Sequence, residues 1–230
     1  RFRNPESAGG FSFAADLPGI SLCPMSAGAR ALGPSDPESS PTERLSNEKK
    51  NQIMKHIKVF APGTVANLGC GFDVMGLTLD GVGDLMEVGV EPGAEGLSIR
   101  NESGVSLPDD VEENVVTPAV RAMLEAYGRP VRVEIRLLEK IVPGSGIGSS
   151  AASPAAAVYG INELLGRPFS GKRLVEFAMQ GEALLGGTAH ADNVGPALLG
   201  GVVLIRGYEP FDIVRLPVPD NFFYAVVHPD

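Results

Sequence analysis

The stretch IVPGSGIGSSAAS, residues 141–153, places glycines at three alternating positions and follows them with serines and alanines. Gly144, Gly146 and Gly148 would let backbone N–H groups approach a ligand without interference from a Cβ atom. A helical pattern begins directly after them, and a helix N-terminus presents free N–H groups and the positive end of the helix dipole. The stretch therefore predicts a strand-to-helix turn that can hold a phosphate group.

Two common phosphate-binding loops do not fit this stretch. A Walker A loop requires a lysine, and the sequence has none between Lys140 and Lys172. The Rossmann pattern G-x-G-x-x-G fails because Gly148 is followed by Ser149. The alternative is an ordinary turn in which Ser149 and Ser150 cap the helix, although a serine hydroxyl there could equally complete a Mg²⁺ shell.

The segments around the loop predict a mixed fold. VRVEIRLL, residues 131–138, alternates apolar and charged residues as a strand does, and alanine-rich residues 150–165 form a helical pattern. Strands and helices are interleaved without a regular βαβα repeat, so we expect an α+β fold. The other predicted elements are helices over 114–127 and 172–185, strands over 57–61, 85–90 and 97–100, and buried strands in GGVVLI (200–205) and FFYAVV (222–227).

The ends of the chain differ in pattern from its middle. Residues 1–53 are rich in Pro, Gly and Ser without apolar periodicity, which predicts a disordered N-terminal extension. The folded region is expected to begin at Met54, with a strand that stops at Pro62-Gly63. The chain ends just after FFYAVV, so we expect an interrupted domain there.

The composition excludes several classes of protein. The 230 residues carry a net charge of -9, which argues against a surface that coats nucleic acid. Only two cysteines occur, too few for a disulfide framework, and this favours a reducing, cytoplasmic setting. No apolar run is long enough to span a bilayer, so no membrane insertion is expected.

Acidic and polar residues downstream of the loop are candidate site residues. Glu182 lies near the end of a predicted amphipathic helix, and a small-residue bend separates it from His190, Asp192 and Asn193. A carboxylate such as Glu182 is a suitable ligand for Mg²⁺. The alternatives are that Asp192 or Asn193 caps a short helix and that His190 is a turn residue.

A second glycine-rich segment lies near the start of the folded region. In ANLGCGFDVMG, residues 66–76, Asn67 and Asp73 interrupt an apolar run at a spacing of six residues. They could line a pocket, or they could be ordinary turn residues.

Three segments together resemble the GHMP small-molecule kinase superfamily, and within it the homoserine kinase family. They are PGTVANLGCGFDVMGLTLD, PGSGIGSSAAS and GEALLGGTAHADNVGPALLGG, which occur in order across residues 54–230. The resemblance implies ATP-dependent phosphorylation of the L-homoserine hydroxyl to O-phospho-L-homoserine, with Mg²⁺ as cofactor. The alternatives are another GHMP kinase with a different acceptor, or a non-catalytic nucleotide-binding fragment.

The resemblance also assigns roles to residues. Ser150 and Glu182 would hold Mg²⁺. Asn67, Asp73, His190 and Asp192 would hold homoserine, and Asp192 with Asn193 would lie at the reacting hydroxyl without either being assigned as a base. The residues expected to wrap the ATP phosphates are Pro143, Gly144, Ser145, Gly146, Ile147, Gly148, Ser149 and Ser150.

For the fold, the resemblance implies two α+β domains with the site between them. Residues 54–217 would form the ATP-binding domain, and 218–230 would begin a C-terminal domain that is largely missing. The arginines expected to bind the substrate carboxylate would lie in the missing part. A homodimer is also allowed. The loop helix carries Pro154, which is expected to cost little because it would lie in the first turn.

Overall fold

The computed structural model describes residues 54–108, 110–186, 189–219, 221 and 223–227. The predicted extension over 1–53 lies outside the described residues, and the division into domains at 217 stays a prediction. The elements in chain order are β1 (Lys55–Leu68), β2 (Gly71–Pro92), β3 (Gly96–Asn101), α1 (Val116–Tyr127), β4 (Val131–Glu139), α2 (Ser149–Leu164), α3 (Gly171–Gly186), α4 (Val194–Leu199), β5 (Val202–Tyr208) and β6 (Phe211–Leu216).

The six strands form one sheet in the order β3-β4-β2-β5-β6, with β1 paired to β2. All pairs are antiparallel except β3 and β4, which are parallel and are connected through α1. The long strand β2 pairs with β4 along its second half and with β5 over residues 75–77. The mixed arrangement of sheet and helices confirms the α+β prediction.

Strand β1 is longer than the sequence predicted. The Pro62-Gly63 pair does not end it, and pairing with β2 continues to Leu68 after a register shift between Pro62 and Thr64. Proline is tolerated here because, in the described sheet, β1 pairs only with β2. The missing N–H of Pro62 therefore removes no hydrogen bond to a second neighbouring strand.

The helices cover the sheet and form the core with it. Strand β4 alternates as predicted, with Val131, Val133 and Ile135 buried. The alanine-rich α2 packs directly on β1 and β2, and Gly160 is needed at this contact because a Cβ there would lie 2.9 Å from Val88 Cγ2. Helices α1 and α3 pack against α2 and each other. Among the described helices, none has the length and apolar content to cross a membrane.

The end of the chain departs from the prediction. FFYAVV was expected to be a buried strand, but its described residues form no strand, and Phe223 and Val227 are 88% and 85% exposed. No described strand pairs with this segment, and an apolar run without a pairing partner cannot form a ladder. The strand β6 (Phe211–Leu216), which pairs with β5, was not predicted.

The prediction that Pro154 lies in the first turn of its helix is wrong. Helix α2 begins at Ser149, so Pro154 is its sixth residue and lies inside the helix, where it removes the N–H that would bond to the carbonyl of Ser150. The ring lies at the crossing with α3, because a Cβ on Gly181 would come 3.2 Å from the Pro154 side chain. Packing against α3 therefore offsets the lost hydrogen bond.

Candidate functional site

The glycine loop between β4 and α2 adopts a left-handed backbone at each alternating glycine. The φ angles are 81° at Gly144, 75° at Gly146 and 69° at Gly148, a conformation that L side chains rarely adopt. The backbone N–H of Thr64 in β1 donates to the carbonyl of Ile147 at 3.0 Å, which anchors the loop to the sheet. The glycines are therefore required by the backbone, and the prediction of a glycine-dependent turn is correct.

Helix α2 starts without a side-chain cap. Its N-cap is Gly148, so the predicted capping by Ser149 or Ser150 is wrong. The first intrahelical bonds are donated by Ala151 and Ala152 to the Gly148 carbonyl, which leaves the N–H groups of Ser149 and Ser150 ahead of the hydrogen-bonded ladder. Such N–H groups, at the positive end of the helix dipole, can receive an anion.

A cavity of about 560 Å³ opens beside this helix start. Its volume is typical of small-molecule sites. Val65, Ile99 and Leu107 give part of it an apolar wall. The predicted site residues that line it are Asn67, Pro143, Gly144, Gly146, Gly148, Ser149, Ser150 and Asn193.

Two residues of the loop face a different space. Ser145 and Ile147 line a second, more open groove together with Val142 and the chain segment around Phe223 and Tyr224. The hydroxyl of Ser149 is also turned away, since it donates to the Ile141 carbonyl at 2.7 Å. The side chains available to the cavity from this loop are thus fewer than the eight predicted residues, and its backbone supplies most of the polar groups.

Glu182 of α3 lies next to Ser150. Burial is the main reason why the pKa of its carboxyl is raised, and nearby Asp192 raises it further, while a hydrogen bond from Ser150 acts in the opposite direction. Its second oxygen, Oε1, is buried without a hydrogen-bond partner. An unsatisfied buried carboxylate oxygen is costly, so this atom is suited to a cation.

The segment that contains Asp192 and Asn193 packs tightly on the sheet. Asp192 is 4% exposed, and its pKa is raised first by burial. A Cβ on Gly76 would lie 1.7 Å from the Asp192 carbonyl, so β2 contacts this segment through bare backbone. Asn193 is the N-cap of α4 but its side chain makes no capping bond; instead its Oδ1 accepts from Thr64 Oγ1 at 2.9 Å. The capping alternative is therefore wrong for its side chain.

Asn67 and Asp73 face each other across the β1–β2 turn. Both have φ of 59°, which is unusual for residues other than glycine, and Asn67 Oδ1 accepts from the Asp73 N–H at 2.8 Å. Strained backbone of this kind is concentrated at functional sites. His190 Nδ1 lies 3.9 Å from Asp73 Oδ1, beyond hydrogen-bond distance, and it is buried without a partner.

The predicted residues fall into two neighbouring groups. Six of the eight predicted loop residues, with Asn67 and Asn193, line the cavity, whereas Asp73, Glu182, His190 and Asp192 do not. The second group is linked electrostatically, because Asp73 and His190 both affect the pKa of Asp192, and Asp192 affects that of Glu182. Burial and neighbouring acids disfavour the ionised form of Glu182 and Asp192, and a bound cation would offset this cost.

A buried lysine, which no motif in the sequence indicated, lies at the base of the loop. Lys140 lines the cavity, and its Nζ lies 3.0 Å from Asp84 Oδ2 in β2. The sequence shows Lys140 only as the residue before the loop, and Asp84 is 56 positions away. The signal that could have indicated the pair is an acid in the otherwise apolar part of β2.

The oxygen atoms near the helix start fit a magnesium ion whose remaining ligands would come from a bound phosphate and water. The described residues contain no group of three or more His, Cys, Asp or Glu side chains that could hold a metal. Glu182 with its orphaned oxygen and the adjacent Ser150 hydroxyl would supply two hard oxygen ligands. Mg²⁺ is commonly bound by one or two carboxylates, with substrate phosphates and water completing the shell.

Several known proteins are similar to this chain in sequence and fold. A homoserine kinase from Methanococcus maripaludis is 39% identical over 165 residues, covering 72% of this chain and 55% of that protein. One from Chlorobium phaeobacteroides is 40% identical over 189 residues, covering 76% and 58%. The crystal structure of homoserine kinase from Cytophaga hutchinsonii matches with a TM-score of 0.67 and 49% identity, covering 72% of this chain and 53% of that one.

The matches define the family and the extent of the likeness. The chain spans just over half the length of these curated relatives. Residues 114–201, which include the glycine loop, Glu182 and Asn193, match the family described as the GHMP kinases N terminal domain. The chain contains a GHMP kinase N-terminal domain, and over most of its length it is similar to the homoserine kinases.

Proposed function

We propose that this chain forms the nucleotide-binding part of a homoserine kinase. The protein transfers the terminal phosphoryl group of ATP to the hydroxyl of L-homoserine and yields O-phospho-L-homoserine and ADP. The observation that carries the proposal is the cavity beside α2, which is lined by the free start of a helix and by Ser150, whose side chain is hydrogen-bonded to Glu182. The choice of homoserine as the phosphoryl acceptor rests on the similarity to the homoserine kinases.

In the proposed complex the nucleotide occupies the 560 Å³ cavity. Its base lies against the apolar wall formed by Val65, Ile99 and Leu107, and its phosphates receive N–H groups from the loop and from Ser149 and Ser150. Ser150 and Glu182 would hold Mg²⁺ at the phosphates, and the ion would supply positive charge that neutralises them.

Homoserine lies at the other group of residues. The carboxylates of Asp73 and Asp192, with Asn67 and His190 beside them, suit the ammonium group of an amino acid. Asn193 reaches from this group into the nucleotide cavity, where Thr64 fixes its side-chain oxygen. Asn193 and Asp192 therefore position the acceptor hydroxyl, and a loose transition state requires accurate placement more than an early base.

The proposal is tested by phosphoryl transfer in the intact gene product. ATP labelled at its terminal phosphate is supplied with L-homoserine, shikimate or mevalonate in the presence of Mg²⁺. We expect labelled product from homoserine at least about tenfold faster than from the other acceptors, a discrimination typical of sites that bond a substrate's polar groups. Faster transfer to another acceptor would replace homoserine by that substrate, and nucleotide binding without any transfer would favour a non-catalytic role.

Tyr208 provides a specific prediction about the acceptor end. Its hydroxyl donates to the Asp73 carbonyl and accepts from the Ala191 N–H, both at 3.2 Å, so it joins the two segments proposed to hold homoserine. In Tyr208→Phe we expect KM for homoserine to rise about three- to tenfold, as for the loss of one or two hydrogen bonds, while KM for ATP stays unchanged. Steady-state kinetics with each substrate varied in turn measures both constants.

The control for this prediction is Tyr127→Phe on α1, which also removes one phenolic hydroxyl. It should leave both KM values at the wild-type level. An equal rise of both KM values in Tyr208→Phe, or no change in either, would contradict a role for Tyr208 at the acceptor end.

A further inference from the structure

A buried ion pair lies beneath the glycine loop. The side chains of Lys140 and Asp84 are only 4% and 0% exposed, and Lys140 Nζ is 3.0 Å from Asp84 Oδ2. Burial lowers the pKa of Lys140, and the adjacent Asp84 acts against this. A buried pair rarely adds more stability than apolar side chains of the same size would, so folding alone is a weak reason for its presence.

All three protons of the Lys140 ammonium are used within the protein. Besides Asp84, the Nζ donates to Ser149 Oγ at 2.7 Å and to the Ser149 carbonyl. An ammonium group has three donors and no acceptor. Lys140 therefore has no proton left for a direct bond to a phosphate, unlike the lysine of a Walker A loop.

Asp84 connects the same pair to both ends of the loop. Its Oδ1 accepts from the Ile141 N–H at 2.8 Å, before the glycines, and its Oδ2 accepts from the Ser153 hydroxyl, after them. The Ser149 hydroxyl closes the network by donating to the Ile141 carbonyl. The pair thus holds the two ends of the 141–153 stretch together and fixes them to β2.

The network also faces the proposed ligand. Lys140, Ser149 and Ser153 line the cavity, so the positive charge of Lys140 lies at its wall. The same charge acts on Glu182, where it favours the ionised carboxylate. A fixed charge in a poorly solvated wall acts more strongly on a bound anion than one in water.

We propose that Lys140 is a positioning residue for the nucleotide: held by Asp84, it fixes the first turn of α2 against the phosphates and adds positive potential without touching them. This inference rests on the proposed function, because it concerns the same cavity. It predicts that nucleotide affinity depends on Lys140 although folding can be maintained without the charge pair.

The test compares Lys140→Met with the double variant Lys140→Met/Asp84→Asn. The single variant leaves a buried carboxylate without its counter-ion and is expected to have a strongly reduced urea midpoint, whereas the double variant removes both charges and recovers much of it. We expect the double variant to bind a fluorescent ATP analogue about tenfold more weakly than wild type. KM for homoserine should change less than about twofold. The control is Lys58→Met, at an exposed lysine of β1.

The outcomes separate the inference from the proposed function. A folded double variant with wild-type nucleotide affinity would overturn the positioning role and leave the proposed function intact. If the wild-type protein binds no ATP analogue, both fail. Should the double variant not fold, Ser149→Ala removes one acceptor of Lys140 and should weaken nucleotide binding about threefold or more. Unchanged affinity in that folded variant would also overturn the inference.

Discussion

Gly148→Ala is expected to unfold the loop locally and to abolish tight nucleotide binding. A Cβ at this position would lie 2.0 Å from Oγ1 of the fully buried Thr64 and 3.2 Å from Asn193 Oδ1. The φ of 69° adds a backbone cost. We expect the free energy of unfolding to fall by about 2 to 4 kcal/mol and nucleotide affinity to fall at least about tenfold. Urea unfolding and titration with a fluorescent ATP analogue measure the two effects.

Gly146→Ala is the matched control for this substitution. Gly146 has a similar φ of 75°, but a Cβ there would meet no heavy atom within 4 Å. The control therefore carries the backbone cost of about 1 to 2 kcal/mol without the steric clash. Equal destabilisation in the two variants would show that the contact with Thr64 is not what makes Gly148 necessary.

Glu182→Gln is expected to remove most of the magnesium-dependent turnover. The substitution keeps the size of the side chain and its hydrogen bonding to Ser150, but it removes the charge proposed to hold Mg²⁺. We expect kcat/KM to fall by about two orders of magnitude or more, since metal stabilisation of the transition state contributes several kcal/mol. The rate is measured in the intact gene product over a range of Mg²⁺ concentrations.

The same variant should not be less stable in the absence of ligand. The pKa of Glu182 is raised above its ordinary value of 4.5 chiefly by burial. The folded protein therefore binds this proton more tightly than the unfolded chain does. The resulting stability is present below pH 4.5 and is lost as pH rises through the folded pKa. At pH 8 we expect the urea midpoint of Glu182→Gln to equal or exceed that of wild type.

Glu125→Gln is the control, because Glu125 is an exposed acid on α1. It should leave turnover, magnesium dependence and stability unchanged. If Glu182→Gln retains wild-type turnover at every Mg²⁺ concentration, Glu182 is not a ligand of the metal.

The regular elements of the fold could be predicted because their patterns are local. The alternation of residues 131–138 and the alanine-rich run after residue 149 each indicate one element, and the structure contains both, as β4 and α2. The errors lie where the outcome depends on distant partners. Strand β1 passes Pro62 because β2 pairs with it on both sides of the irregularity. The described residues of FFYAVV form no strand because none of the described strands pairs with them.

The site was predictable to a similar degree. The glycine loop and the proximity of Glu182 to Ser150 follow from short motifs and from family resemblance. The roles of individual side chains do not, because they depend on contacts between segments far apart in sequence. Thr64 bonds to Asn193 across 129 positions, and Asp84 bonds to Lys140 across 56.

The short pairing between β2 and β5 allows the proposed acceptor end of the site to move independently of the glycine loop. In the described part of the sheet, the hairpin β5–β6 is paired with β2 over residues 75–77, with one more hydrogen bond from the Thr78 N–H to the Gly201 carbonyl, whereas β4 is paired with β2 along residues 85–92. A short paired region opens at a lower free-energy cost than a long one, so we expect this hairpin to separate from β2 more readily than β4 does. Because Tyr208 belongs to it, such an opening would release the acceptor end while the glycine loop stays clamped to β1 and β2. Under the proposed function, the amino acid would then enter and leave without disturbing the bound nucleotide.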